Sequence, residues 1–72
     1  MNTAEKLENI ADLDRVGMMQ MARCKEIDQE IEDAKNQTDR ENLKIEKAEM
    51  LRRLRQTLAQ MEVAFEAIGM HV

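Results

Sequence analysis

The apolar residues on either side of the stretch Lys35-Asn36-Gln37-Thr38-Asp39 mirror one another, and that symmetry restricts the chain to very few folds. Positions whose numbers sum to 74 or 75 pair Leu7 with Ile68, Ile10 with Phe65, Leu13 with Met61, Gly17 with Leu58, Met21 with Leu54, Cys24 with Leu51, and Ile31 with Leu43. Only Ile27 meets a mismatch, Lys47. Two antiparallel helices folded back at Gln37 place these pairs in one seam. Two continuous helices in an antiparallel homodimer obey the same sum rule. The polar run at 36–39 favours the hairpin over that alternative, because it reads as a helix stop followed by a helix start.

Composition supports helices throughout. The chain has no Pro, two Gly and a single aromatic residue, Phe65, and Ala, Leu, Glu, Lys, Arg, Gln and Met predominate. The charged fraction is 36%, high enough to raise disorder as an alternative, but disordered chains lack ordered apolar spacing and this one keeps it in both halves. At 72 residues the chain makes one domain, near the size at which a single core struggles to offset chain entropy. A lone two-helix seam is therefore marginal, and a second copy or another partner is expected.

Helix 1 is expected over about 3–35, with Asn2-Thr3-Ala4-Glu5 as its start, where Asn2 can accept from the backbone three residues on. Its inner stripe comprises Leu7, Ile10, Leu13, Gly17, Cys24, Ile27, Ile31 and Ala34, with Val16 and Met21 on the same arc. A second cluster, Ala11, Met18, Met19 and Ala22, points away from that stripe. The turn is expected at about 36–39, with Asn36 as a C-terminal cap and Thr38-Asp39-Arg40-Glu41 as a capping box opening helix 2, over about 39–68. In helix 2 Leu51, Leu54, Leu58, Met61, Phe65 and Ile68 step by three and four residues, the spacing of a coiled-coil seam, and Gly69 supplies an exit cap. The acidic end of helix 1, Glu26 to Asp33, faces Arg40, Lys44 and Lys47 across the fold-back. The fold class is all-α, a two-helix antiparallel hairpin expected to dimerise into a four-helix bundle.

Candidate chemistry is sparse. The net charge of −4 works against non-specific affinity for nucleic acid or anionic lipid. Cys24, the single cysteine, cannot form an intrachain disulfide, and with His71 far away it reads as a buried thiol rather than a nucleophile. No metal site, catalytic group or cofactor site is expected, since His71 stands alone and the carboxylates of Glu26 to Asp33 lack a calcium-binding loop. With no basic start before an apolar run and no membrane-length apolar stretch, a cytoplasmic location is the expectation. Lys47 is expected to lay its stem along the seam with its ammonium in water, the alternative being a contact with Glu26 or Glu30.

Two surfaces remain. Lys44, Arg52, Arg53 and Arg55 are the nucleic-acid candidates, but at 100° per residue the arginines point in three directions and no aromatic residue interleaves. Balancing the charge of helix 1 and of a second subunit is the reading preferred for them. Ala11, Met18, Met19 and Ala22 are the candidate dimer or partner surface, since seven methionines in 72 residues suit adaptable protein contacts. In outline the chain resembles small helical hairpins that pair into four-helix bundles, among them a plasmid RNA-binding regulator and small secretion co-chaperones. That likeness is one of form and carries no motif. The expected function is a non-enzymatic protein-binding module, an adaptor, co-chaperone or inhibitor, acting as a homodimer. The alternatives are a nucleic-acid-binding hairpin dimer and a phage or mobile-element inhibitor of a host protein.

Overall fold

The computed structural model describes residues 2–69, and these form a helical hairpin of two helices, α1 (Thr3–Asp33) and α2 (Gln37–Ala67). The hairpin rather than the long-helix alternative is therefore the fold. The rod measures 52 × 19 × 14 Å. None of its helices is long and apolar enough to cross a membrane.

Both helices begin on an asparagine. Asn2 Oδ1 accepts from Glu5 N at 2.8 Å, as the sequence suggested. The turn differs from expectation. Asn36 is the N-cap of α2, not the C-cap of α1, and its Oδ1 accepts from Asp39 N at 2.8 Å while its Nδ2 donates to Asp39 Oδ2 at 3.0 Å. The functioning box is thus Asn36-Gln37-Thr38-Asp39, two residues ahead of the expected Thr38 box. Asn36 wins because its amide both accepts from the backbone and donates to Asp39, and because α2 then adds Gln37 and Thr38 to its first turn.

The fold-back needs only Ala34, Lys35 and Asn36, none of which has a positive φ. That explains how the chain turns with neither Gly nor Pro. Arg40 Nη2 donates to the Ala34 carbonyl at 3.1 Å and so satisfies a group that the end of α1 leaves open. At the far end Gly69 has φ +79° and its N–H reaches the Glu66 carbonyl at 3.0 Å, the exit cap expected of a glycine there.

The seam follows a strict seven-residue repeat. On α1 the inward positions are Lys6, Ile10, Leu13, Gly17, Gln20, Cys24, Ile27, Ile31 and Ala34. On α2 they are Arg40, Leu43, Lys47, Met50, Leu54, Thr57, Met61, Ala64 and Ile68. Every mirrored pair in these two rows sums to 74, the layered arrangement of an antiparallel coiled coil. Ile27 is fully buried, and Gly17, Cys24 and Thr57 are buried with it.

Five expected pairs are corrected by this register, with Ile68 facing Lys6 rather than Leu7, Ile10 facing Ala64 rather than Phe65, and Cys24 facing Met50 rather than Leu51. Gly17 faces Thr57, whose Cγ2 is 3.7 Å from the position of an added β-carbon, rather than Leu58, which is 54% exposed. Gln20 rather than Met21 mirrors Leu54, and Met21 is half exposed. The row of Met50, Thr57 and Ala64 turns inward, and its Thr57 and Ala64 are smaller than the adjacent Leu58 and Phe65.

Candidate functional site

The two flanks of the seam differ in kind. On one flank polar groups join the helices. Arg23 of α1 donates to both carboxylate oxygens of Glu46 on α2, at 2.9 and 3.1 Å, and also to Glu26 and Glu30, each at 3.2 Å. These partners hold its guanidinium above its ordinary pKa, Glu46 first through its hydrogen bond, with the partial desolvation of the site opposing. Within the seam, the Thr57 hydroxyl lies 2.9 Å from Gln20 Oε1 and 3.1 Å from the Arg53 carbonyl, sharing one proton between two acceptors. At the open end Lys6 Nζ donates to the Ala67 carbonyl at 3.2 Å, an appropriate cation for a helix C-terminus.

On the other flank the rows beside the seam are Leu7, Asp14, Met21 and Asp28 on α1, and Lys44, Leu51, Leu58 and Phe65 on α2. Five of these eight residues are large and apolar. Leu7, Met21 and Leu58 are each at least half exposed, while Leu51 and Phe65 are half-buried. Ala11 and Met18 lie one row further out on α1, and Met18 is 60% exposed. Toward the turn this flank becomes charged, with an ion pair between Lys47 and Asp28.

The expected interaction residues Ala11, Met18, Met19 and Ala22 are all exposed on the back of α1, but they do not form one unit. Ala11 and Met18 continue the apolar flank, whereas Met19, 68% exposed, and Ala22 turn away from it. Ala11 and Met18 therefore border a larger apolar surface, whose Leu7, Met21, Leu51, Leu58 and Phe65 the sequence places in the seam. Its signal was available: Leu51, Leu58 and Phe65 repeat every seven residues, and so do Met50, Thr57 and Ala64 one position earlier. Both rows combine with Leu54, Met61 and Ile68 into a stripe of threes and fours.

Arg52, Arg53 and Arg55 are exposed and, among the described residues, none of them makes an ion pair. The counter-charge to helix 1 expected of them comes instead from α2 through Lys47, while Arg23 of α1 supplies a pair of reversed polarity with Glu46. Lys44 is exposed and likewise unpaired among the described residues. Lys47 is half-buried, which fits a stem laid along the seam, and its ammonium pairs with Asp28 rather than with Glu26 or Glu30. Cys24 is free and buried. His71 lies outside the described residues.

The surface is not wholly convex. A shallow groove of about 320 Å³ opens beside Lys6, Leu13, Gln60 and Ala64 near the open end, on the polar flank. It brings together no acid, histidine or cysteine, and Lys6, its one ionisable side chain, donates to the Ala67 carbonyl. Among the described residues no three His, Cys, Asp or Glu side chains are grouped to hold a metal ion. Comparison of the chain with protein-family models, curated proteins and solved structures gives no match.

Proposed function

We propose that the chain is a non-enzymatic protein-binding module that works as a homodimer of hairpins, paired through the apolar flank into a four-helix bundle. The observation that carries this reading is the asymmetry of the flanks: Arg23 bonds to Glu46 across one, while Leu7, Met18, Met21 and Leu58 stand exposed on the other. A two-stranded seam uses two positions of each heptad, and a helix in a four-helix bundle needs a third, on the side where it meets its second neighbour. Only one flank supplies that third apolar row.

Surface area argues the same way. The hairpin exposes 5602 Å², where a compact monomer of 8.4 kDa exposes about 4,600 Å². The difference, about 1,000 Å², is comparable to the roughly 800 Å² per partner that a specific interface covers. A face 52 Å long and 19 Å wide can supply it.

Met19 and Ala22 stay outside such a bundle. They are the proposed contact for a different protein, in keeping with an adaptor, co-chaperone or inhibitor. Sedimentation equilibrium tests the reading. The wild-type chain is expected at twice its chain mass, Met18→Glu and Leu58→Glu at the mass of one chain, and Met19→Glu at the dimer mass. A wild-type chain that sediments as a monomer at every concentration overturns it.

A further inference from the structure

We infer that the two hairpins pair in register, turn beside turn, about a two-fold axis running along the rod, so that α1 of each copy lies against α2 of the other. This rests on the proposed dimer and adds its geometry. A two-fold axis relating two facing flanks must lie in the plane between them, and it can run along the rod or across it. An axis along the rod sets α1 over α2 of the second copy with matching layers. An axis across the rod inverts one hairpin and sets α1 over α1 and α2 over α2.

The charges on the apolar flank distinguish the two. In the turn half, the flank of α1 carries Asp28 with Glu32 one turn on, and the flank of α2 carries Lys44 beside Lys47. The in-register dimer brings Lys44 of the second copy opposite Asp28 and within a turn of Glu32, acid over base, twice by symmetry. Lys44 has no ion pair among the described residues, so it is available for this contact.

In the open half the same arrangement stacks Leu7 on Phe65 and Met21 on Leu51 of the second copy. The mirror that folds each chain then also joins the two chains, one row further round each helix. The inverted dimer, centred on the apolar stretch between Leu7 and Met21, places Asp14 against Asp14 of the second copy and leaves Asp28 and Lys44 overhanging. Like charges meet there and unlike charges are lost.

Cross-linking between differently substituted chains tests the register. In a Cys24→Ala background, an isotope-labelled Asp28→Cys chain is mixed with an unlabelled Lys44→Cys chain, and separately a labelled Arg55→Cys chain with an unlabelled Glu62→Cys chain. All four replace exposed charged residues rather than apolar ones. After treatment with a short bis-maleimide, mass spectrometry counts products that join a labelled to an unlabelled chain.

The in-register dimer is expected to give at least a five-fold excess of the Asp28/Lys44 product, since the Arg55/Glu62 pair meets only in the inverted dimer. Equal yields, or an excess of the Arg55/Glu62 product, overturn the register while leaving dimerisation standing. A chain that sediments as a monomer overturns the dimer itself, and the register with it.

Discussion

A β-carbon added at Gly17 meets Thr57 Cγ2 at 3.7 Å and Leu54 Cδ1 at 3.9 Å, ordinary van der Waals separations. The glycine is therefore not required by close approach, and it weakens α1 where it stands, since Gly in a helix interior is about 1 kcal/mol less favourable than Ala. Gly17→Ala is expected to raise the unfolding free energy by about 0.5–1 kcal/mol, read by urea denaturation at fixed protein concentration. Across from it, Thr57 brings a hydroxyl into the most buried part of the seam, where it needs a partner. Its bond to Gln20 joins the two helices within the seam. Thr57→Val removes that bond and leaves the Gln20 amide without it, at a cost of about 1 kcal/mol. Adding Gln20→Leu to Thr57→Val is expected to recover the loss, because two apolar partners need no hydrogen bond. A double mutant that remains less stable than the wild type would show that the bond contributes more than it costs to desolvate.

At the scale of the helix, the choice of fold was written plainly in the residues and the choice of face was not. The mirror about Gln37 and the absence of Pro identified two antiparallel helices, and Asn2 and Gly69 marked two of their ends. What the pattern left open was which of two adjacent rows of α2 faces α1, because both step by sevens and share Leu54, Met61 and Ile68. Hydrophobicity selects Leu51, Leu58 and Phe65, whereas fit to the seam selects Met50, Thr57 and Ala64. A single sequence shows how apolar a row is but not how closely its neighbour approaches. Leu58 falls outside the seam because the row of α2 that faces α1 lies one position earlier. The turn shows the same limit, since Asn36 and Thr38 are both competent caps and only the backbone decides between them. Asn36→Ala is expected to cost about 0.5–2 kcal/mol in a thermal melt followed by circular dichroism, and Thr38→Ala less than about 0.5. Equal losses would mean that Thr38 shares the cap.

For the whole molecule, the rod's shape sets the order in which it closes. Ile31 and Leu43 enclose eleven residues, while Lys6 and Ala67, at the open end, are 61 positions apart in the chain. Reaching the open end directly costs about 0.6 kcal/mol more for each doubling of the enclosed loop, so layers are gained in sequence from the turn outward. The charged part of the apolar flank lies near the turn, and Leu7, Leu58 and Phe65 lie in the half that closes last. Amide hydrogen exchange at low protein concentration should show protection falling from Ile31 and Leu43 toward Ile10 and Ala64, and the gradient should flatten as the concentration rises. A gradient that concentration leaves unchanged would place the association elsewhere. In the proposed dimer the chain is a zipper whose slider starts at Asn36 and whose last teeth are locked from outside, so that the lifetime of its open end is set by how often two molecules meet.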